Sequence, residues 1–245
     1  MNLNGKVSLV TGGAKRLGRA IALELARAGS SIALHYNQSE KEAGEARKDI
    51  VRLGCACRLY RADLSKPAEV ESLARRVLRD FKACDVLVNS AAVFPQVPLE
   101  KASQRDFDWP YEVNLRAPAL LTKALGLWNH RKKRDARVIN IGDVGGALAW
   151  PGALPYSLSK AGLLQLTRAS ARRLAPHVLV NCVAPGPMVM GEGATAAQKR
   201  SSLKRTLLKR LGGAHEVARA VRFLAESDYI TGAILPVDGG RTLAN

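Results

Sequence analysis

Aromatic side chains and cysteines are scarce in this chain of 245 residues. Aromatics make up 5% of the sequence, so the core must rest on Ala, Val, Leu and Ile, which suits parallel strands covered by helices. The four cysteines, Cys55, Cys57, Cys84 and Cys182, lack the spacing and the histidine neighbours of a zinc site. We therefore expect free thiols in a reducing compartment rather than a disulfide framework.

Long apolar runs are also missing. No run reaches the length of about 18 residues that a membrane-spanning helix needs, and the N-terminus shows no charged segment followed by the apolar core of a signal peptide. Hydrophobic residues still make up 47% of the chain, which excludes general disorder. These features predict a cytoplasmic protein without a membrane partner.

Acidic residues are few beside basic ones, 21 against 38, and the formal net charge is +17. Such an excess of positive charge makes nucleic acids, membrane surfaces and anionic ligands candidate partners. The cations are spread through helical segments, and no aromatic platform, helix-turn-helix or zinc-finger spacing accompanies them. We therefore expect the basic residues to lie on solvated helix faces, where they steer anionic ligands, and we expect no nucleic-acid partner. Nucleic-acid binding is the alternative.

Strand-like and helix-like segments alternate along the chain. The predicted strands are residues 7–10, 31–35, 56–60, 86–89, 138–141, 178–183 and 233–237, and the predicted helices are 19–28, 40–53, 67–80, 106–127, 156–174 and 215–225. This alternation predicts an α/β fold, a single domain over residues 1–245 with one Rossmann-type doubly wound parallel sheet flanked by helices on both faces. Ligands bind such sheets at the carboxyl ends of the strands. The irregular stretch at about 186–210 predicts a mobile flap over the site.

A glycine-containing loop, Thr11–Gly18, lies between the first predicted strand and its helix. Glycines let the backbone approach a pyrophosphate, and a helix N-terminus offers free N–H groups and a positive dipole. We expect the loop residues Gly12, Arg16, Leu17 and Gly18 to contact a dinucleotide. A plain tight turn is the alternative.

The end of the second predicted strand lacks the carboxylate that normally binds the ribose 2′-hydroxyl of NAD. His35, Asn37 and Ser39 stand there instead, and Lys15 and Arg16 lie in the adjacent loop. A 2′-phosphate would meet cations and neutral donors at this place. The sequence therefore predicts NADPH/NADP+ as the cofactor.

Two further segments are candidate cofactor contacts. Asp63 and Leu64 follow the third strand, where the carboxylate could accept a hydrogen bond from an adenine amine, or could instead cap the next helix or form a turn. Asn89 and Ala91 end the fourth strand in a run of small residues. That run permits close approach to the cofactor ribose, or packing against the glycine-rich loop.

Tyr156 and Lys160 are four residues apart at the start of a predicted helix, so they share one face of it. A nearby cation favours the phenolate and lowers the tyrosine pKa from its reference of about 10. Tyr156 then becomes a competent proton donor during hydride transfer.

The chain resembles the classical short-chain dehydrogenases/reductases over essentially its whole length. The motifs that carry this resemblance are Thr11–Gly18, Asp63–Leu64, Asn89–Ala92, Glu112–Asn114, Tyr156–Lys160 and Asn181–Gly186. The resemblance implies that Tyr156 and Lys160 are catalytic and also contact the cofactor, as do Pro185 and Gly186. It implies that Asn114 supports a water relay behind Lys160, with a bond to the backbone of its own helix as the alternative. It further implies a homotetramer or homodimer acting on a small-molecule substrate.

Two departures from that family are similar to the pteridine reductases and dihydromonapterin reductases. Asp143 stands thirteen residues before Tyr156, where the family usually has a catalytic serine, and Arg16 replaces the middle glycine of the loop. This second resemblance implies that Asp143 and Tyr156 form the proton-delivering pair, and that Phe94 stacks a pterin against the nicotinamide. The alternatives are a loop-capping role for Asp143 and ordinary loop packing for Phe94.

The aspartate has a physical rationale. An ionised Asp143 would repel the oxygen on which negative charge develops during ketone reduction, whereas reduction of a C=N bond requires a proton at nitrogen. Lys160 favours the ionised carboxylate and burial opposes it. We therefore predict a hydride transfer from NADPH to a pterin-like C=N heterocycle of the dihydropteridine or dihydrofolate type, with Phe94, Asp143 and Tyr156 at the substrate. The alternatives are a carbonyl reductase, such as a 3-oxoacyl-(acyl-carrier-protein) reductase, and a non-catalytic NADPH-binding sensor.

Overall fold

Seven parallel strands form one sheet in the part of the chain that the structure, a computed structural model, describes: residues 1–148, 150–188, 200 and 203–244. The strand order is β3-β2-β1-β4-β5-β6-β7. The strands are β1 (Val7–Val10), β2 (Ser31–Tyr36), β3 (Cys57–Arg61), β4 (Val86–Asn89), β5 (Ala136–Ile141), β6 (Val178–Pro185) and β7 (Ile234–Val237). All six neighbouring pairs run parallel.

The central strands are buried on both faces, which explains why most of their side chains are apolar. Every residue of β1, β4, β5 and β6 is buried. In the middle of the sheet, Val10 of β1 lies opposite Leu34 of β2 on one side and Val88 of β4 on the other. Parallel sheets need such double burial because their crossover helices cover both faces. The predicted α/β sheet is confirmed.

Helices pack in two layers against this sheet. They are α1 (Arg16–Arg27), α2 (Glu40–Arg52), α3 (Pro67–Phe81), α4 (Gln104–Pro110), α5 (Ala117–Leu121), α6 (Leu127–Arg131), α7 (Leu154–Leu174) and α8 (Ala214–Glu226). One core layer joins α1, α2 and α8 to the sheet, and the other joins α3, α5 and α7 to its opposite face. Small and branched aliphatic side chains fill both layers, as the scarcity of aromatics requires.

The segment predicted as one helix over 106–127 is longer and interrupted. It begins at Gln104, because Ser103 and Asp106 form a capping box there. Two π-helical turns, Tyr111–Arg116 and Thr122–Gly126, separate α4, α5 and α6. Pro110 ends α4, and its missing N–H removes a backbone hydrogen bond just before the first π-helical turn.

The strand order places a crevice between β1 and β4. The chain starts in the middle of the sheet, runs outward to β3 and then crosses back to β4, so the loops after β1 and β4 diverge. Of the predicted flap, only residues 186–188, 200 and 203–210 are described, and the remaining positions lie outside the described residues. No helix in the described part of the chain combines the length and the apolar character needed to cross a membrane.

Candidate active site

The loop between β1 and α1 folds tightly upon itself. Gly12 has φ of 65°, a left-handed conformation that glycine adopts without strain. A Cβ on Gly18 would lie 2.1 Å from the carbonyl oxygen of Gly12, so only glycine fits at position 18. Lys15, the N-cap residue of α1, makes no side-chain cap to the helix. The first N–H groups of α1 therefore remain available to an anion.

His35 holds this loop from β2. It is 2% exposed; its Nδ1 accepts a hydrogen bond from the Gly12 N–H at 3.1 Å, and its Nε2 lies 3.0 Å from the carbonyl oxygen of Ala62, to which it donates. Burial lowers the pKa of His35 to about 4, so the ring is neutral. Because backbone groups occupy both ring nitrogens, His35 positions the phosphate loop. That His35 also contacts the cofactor stays a prediction.

A cavity of about 610 Å³ opens beside the loop, a size that suits a cofactor. Ten of the predicted cofactor residues line it: Gly12, Arg16, Leu17, Gly18, His35, Asn37, Ser39, Asp63, Leu64 and Ala91. The crevice between β1 and β4 therefore gathers most of the predicted dinucleotide contacts on one wall.

The cations at this end of the cavity differ in their surroundings. Lys15 pairs with Glu42 at 2.6 Å, whereas Arg16 has no carboxylate within 4.0 Å in the described part of the chain. Asp63 accepts hydrogen bonds from the backbone N–H and the hydroxyl of Ser65, at 3.0 and 2.8 Å. The turn-forming alternative for Asp63 is thus realised, and its other oxygen, Oδ2, lies 3.9 Å from Nζ of Lys66.

Five predicted cofactor residues lie outside the lining of this cavity: Asn89, Tyr156, Lys160, Pro185 and Gly186. Asn89 is buried, and its Nδ2 donates to Oδ1 of Asn140 at 2.8 Å across the sheet. A Cβ on Gly186 would lie 2.5 Å from Cα of Asp238, so the end of β6 is packed tightly against the end of β7. Both contacts are structural.

Asp143, Tyr156 and Lys160 meet where β5 ends and α7 begins. The Tyr156 hydroxyl donates to Oδ2 of Asp143 at 2.8 Å, and Oδ1 of Asp143 accepts from the Gly145 N–H at 2.7 Å. Lys160 Nζ donates to the carbonyl oxygen of Ile141 at 2.8 Å and lies 5.8 Å from the centroid of the Tyr156 ring. The structure brings the three predicted catalytic side chains together.

Burial sets the protonation of this cluster. It raises the pKa of Asp143 above its ordinary value, against the Gly145 amide, the Tyr156 hydroxyl and Lys160, which lower it. Burial also raises the pKa of Tyr156, with Asp143 adding to the effect, and lowers the pKa of Lys160. The expected lowering of the tyrosine pKa by Lys160 is therefore wrong for the free protein, because desolvation outweighs the cation.

Asn114 lies in the first π-helical turn and links the site to the loop after β4. Its Oδ1 accepts from the Val93 N–H at 2.9 Å, and its Nδ2 donates to the Val93 carbonyl oxygen at 2.9 Å and to Oγ of Ser159 at 3.1 Å. Its partners are thus a neighbouring loop and α7, rather than the backbone of its own helix. Through this last hydrogen bond Asn114 holds Ser159, the residue that precedes Lys160 in α7.

Three aromatic rings gather at the mouth of the site. Phe94 is 49% exposed, and its ring centroid lies 4.4 Å from that of Tyr156. The ring of Trp150 lies 6.4 Å from Phe94 and 6.5 Å from Tyr156. Trp150 was not predicted as a site residue, because the loop that carries it has no periodicity. Its closeness to Tyr156 in a chain with few aromatics was the available signal.

The fold and the site define a nicotinamide-dependent oxidoreductase, and sequence comparison agrees. A family model described as enoyl-(acyl carrier protein) reductase matches residues 12–242. The chain belongs to the short-chain dehydrogenase/reductase family. Because that family is NAD(P)-dependent, the prediction of a nicotinamide dinucleotide cofactor is confirmed.

Three similar proteins illustrate the range of the family. The chain is 35% identical over 245 residues to Nodulation protein G of Rhizobium sp. (strain N33), with 97% of each chain covered. It is 35% identical over 245 residues to the 3-oxoacyl-(acyl-carrier-protein) reductase FabG of Escherichia coli (strain K12), with 98% of each covered. A crystal structure of a blue fluorescent protein from a metagenomic library, in complex with NADPH, superposes with a TM-score of 0.91 at 33% identity, covering 98% of this chain and 99% of that one. Of the predicted activities, these names favour the carbonyl reductase alternative over pterin reduction.

Proposed function

We propose that this chain is an NADPH-dependent reductase of the C=N bond in a pterin-like heterocycle. The observation that carries the proposal is the 2.8 Å hydrogen bond between Tyr156 and Asp143, at the position where a serine is usual. A carboxylic acid beside a phenol is suited to placing a proton on a ring nitrogen. An ionised carboxylate there would oppose the charge that develops on a ketone oxygen.

The cavity beside the phosphate loop fits the cofactor, which supplies a hydride when bound. The uncapped N–H groups of α1 and the guanidinium of Arg16 would hold its phosphates. Asn37 and Ser39 offer neutral donors to a 2′-phosphate, and no carboxylate stands at the end of β2 to repel it. Lys160 and Tyr156 are not among the residues that line this cavity, and we expect the substrate beside them.

Tyr156 is the group that gives a proton to the substrate nitrogen. The phenolate left behind lies beside Lys160, whose ammonium stabilises it. Burial raises the pKa of Asp143 and so favours its acid form, and a protonated Asp143 can return a proton to Tyr156 along their hydrogen bond. Phe94 and Trp150 present aromatic surface to a planar substrate and exclude water from the pair.

The relatives support a second candidate, a carbonyl reductase acting on a 3-oxoacyl thioester. In that reaction Asp143 would have to stay protonated, so that it and Tyr156 both donate toward the carbonyl oxygen. The net charge of +17 also suits an acidic carrier protein. The assembled Tyr156–Asp143–Lys160 cluster disfavours the third possibility, a non-catalytic sensor.

A substrate panel separates these candidates. We expect NADPH oxidation with dihydrobiopterin or dihydrofolate to exceed that with an acetoacetyl thioester by at least about tenfold in kcat/KM, which corresponds to about 1.4 kcal/mol in transition-state stabilisation. NADH in place of NADPH serves as the cofactor control and should react more slowly. Turnover of the thioester alone would transfer the assignment to the carbonyl reductase, and tight NADPH binding without any turnover would indicate the sensor.

The homotetramer or homodimer stays a prediction. Among the exposed apolar side chains, Tyr229 is 100% exposed and Leu243 is 78% exposed. Both lie at or near the segment 229–240 that we expect close to an interface, and contact with a second copy would cover them.

A further inference from the structure

An indole ring packs directly on the backbone of the turn that follows Asp143. A Cβ built on Gly145 would lie 2.8 to 3.0 Å from three ring atoms of Trp150, closer than real Cβ contacts. Gly145 is buried, and its φ lies outside the left-handed region. Space for the indole, rather than backbone conformation, therefore requires glycine at position 145.

The peptide beneath the indole is the one that orients the Asp143 carboxyl. The Gly145 N–H donates to Oδ1 of Asp143 at 2.7 Å, which leaves Oδ2 directed at the Tyr156 hydroxyl at 2.8 Å. The indole plane is also within 16° of the plane of the Tyr156 ring, with the centroids 6.5 Å apart. Trp150 thus lies against both ends of the chain of contacts Gly145–Asp143–Tyr156.

We propose that Trp150 is a positioning residue for the Asp143–Tyr156 pair: its indole, seated on Gly145, fixes the Asp143 carboxyl toward Tyr156 and keeps water from it. The importance of the pair for turnover rests on the proposed function. The protonation state of the Asp143 carboxyl does not rest on the proposed function, because its pKa can be measured in the free protein.

The surroundings of Asp143 give the direction of the effect. The titratable groups that face it are Tyr156 and Lys160 of α7, and Cys182 of β6 faces Lys160 in turn. Burial keeps the pKa of Asp143 raised, and loss of the indole would admit water and lower it. Activity that needs the acid form of Asp143 is lost as the pH rises through that pKa. Removing Trp150 therefore moves this loss to lower pH.

A double-mutant cycle tests the contact. Gly145→Ala alone should lower kcat by about tenfold or more, because its methyl group displaces the indole or the turn. In the Trp150→Ala background the same change should cost less than about twofold, because the obstacle is gone. Gly152→Ala is the matched control in the same loop: within the described part of the chain nothing lies within 4 Å of its added Cβ, so kcat should stay unchanged. Simple additivity of the two losses would overturn the proposal.

A carbon-NMR titration of the Asp143 carboxyl gives a readout independent of substrate. The resonance is assigned by its loss in Asp143→Asn, and Trp150→Ala should lower its pKa while Trp150→Phe, which keeps a flat ring, restores most of the shift. An unchanged pKa in Trp150→Ala contradicts the positioning role, even if Gly145→Ala fails to fold. If no substrate is turned over, the proposed function fails and the titration still decides the role of Trp150.

Discussion

Replacing Tyr156 with phenylalanine is expected to lower kcat by about a hundred- to ten-thousandfold, the range that a positioned general acid contributes. The change removes the hydroxyl that donates to Asp143 at 2.8 Å and keeps the ring that contacts Phe94. The proton donor is lost while the aromatic packing remains. Steady-state kinetics with the substrate that the panel identifies measures the effect.

NADPH binding separates chemistry from cofactor loss in this variant. We expect the Kd for NADPH of Tyr156→Phe to stay within about threefold of the parent, because the Tyr156 side chain lies outside the lining of the cofactor cavity. A variant that keeps more than about a tenth of the parent kcat would show that another group delivers the proton.

Gly18→Ala should weaken NADPH binding by about a hundredfold or more, equivalent to about 2.7 kcal/mol. The added Cβ would lie 2.1 Å from the carbonyl oxygen of Gly12 and 2.8 Å from its carbonyl carbon, and both are backbone atoms that cannot turn aside. The phosphate loop must therefore shift away from the N-terminus of α1. Fluorescence titration of the free protein with NADPH measures the loss.

Gly44→Ala is the matched control for this experiment. Gly44 lies within α2, and an added Cβ would meet nothing within 4 Å. We expect unchanged NADPH affinity and a gain in the free energy of unfolding of about 0.5–1 kcal/mol, because alanine is the better helix former. Equal NADPH affinity in the Gly18→Ala variant would contradict phosphate binding by this loop.

The sheet could be predicted from the sequence because its strands carry their own signal. Ala136–Ile141 and Val178–Pro185 are buried throughout, and such double burial leaves predominantly apolar segments that turn residues separate. The helix at 104–131 was less predictable. Its first π-helical turn, Tyr111–Arg116, packs against α7, and local periodicity does not record such tertiary contacts.

The site could be predicted as a set of residues but not as an electrostatic environment. Position along the chain was enough to place Asp143, Tyr156 and Lys160 at one sheet edge. Their pKa directions depend on desolvation, which only the packed structure defines. The neutral state of His35, whose ring is buried between Gly12 and Ala62, likewise depends on packing that the sequence does not record.

The most direct test of proton delivery by the Asp143–Tyr156 pair compares Asp143→Ser with the parent on two substrates. The measured quantity is kcat/KM for dihydrobiopterin and for an acetoacetyl thioester. If the Asp143 carboxylic acid serves C=N reduction, Asp143→Ser should lower kcat/KM for dihydrobiopterin by at least about tenfold. Its kcat/KM for the thioester should stay unchanged or increase. Retention of the dihydrobiopterin rate in Asp143→Ser would contradict it.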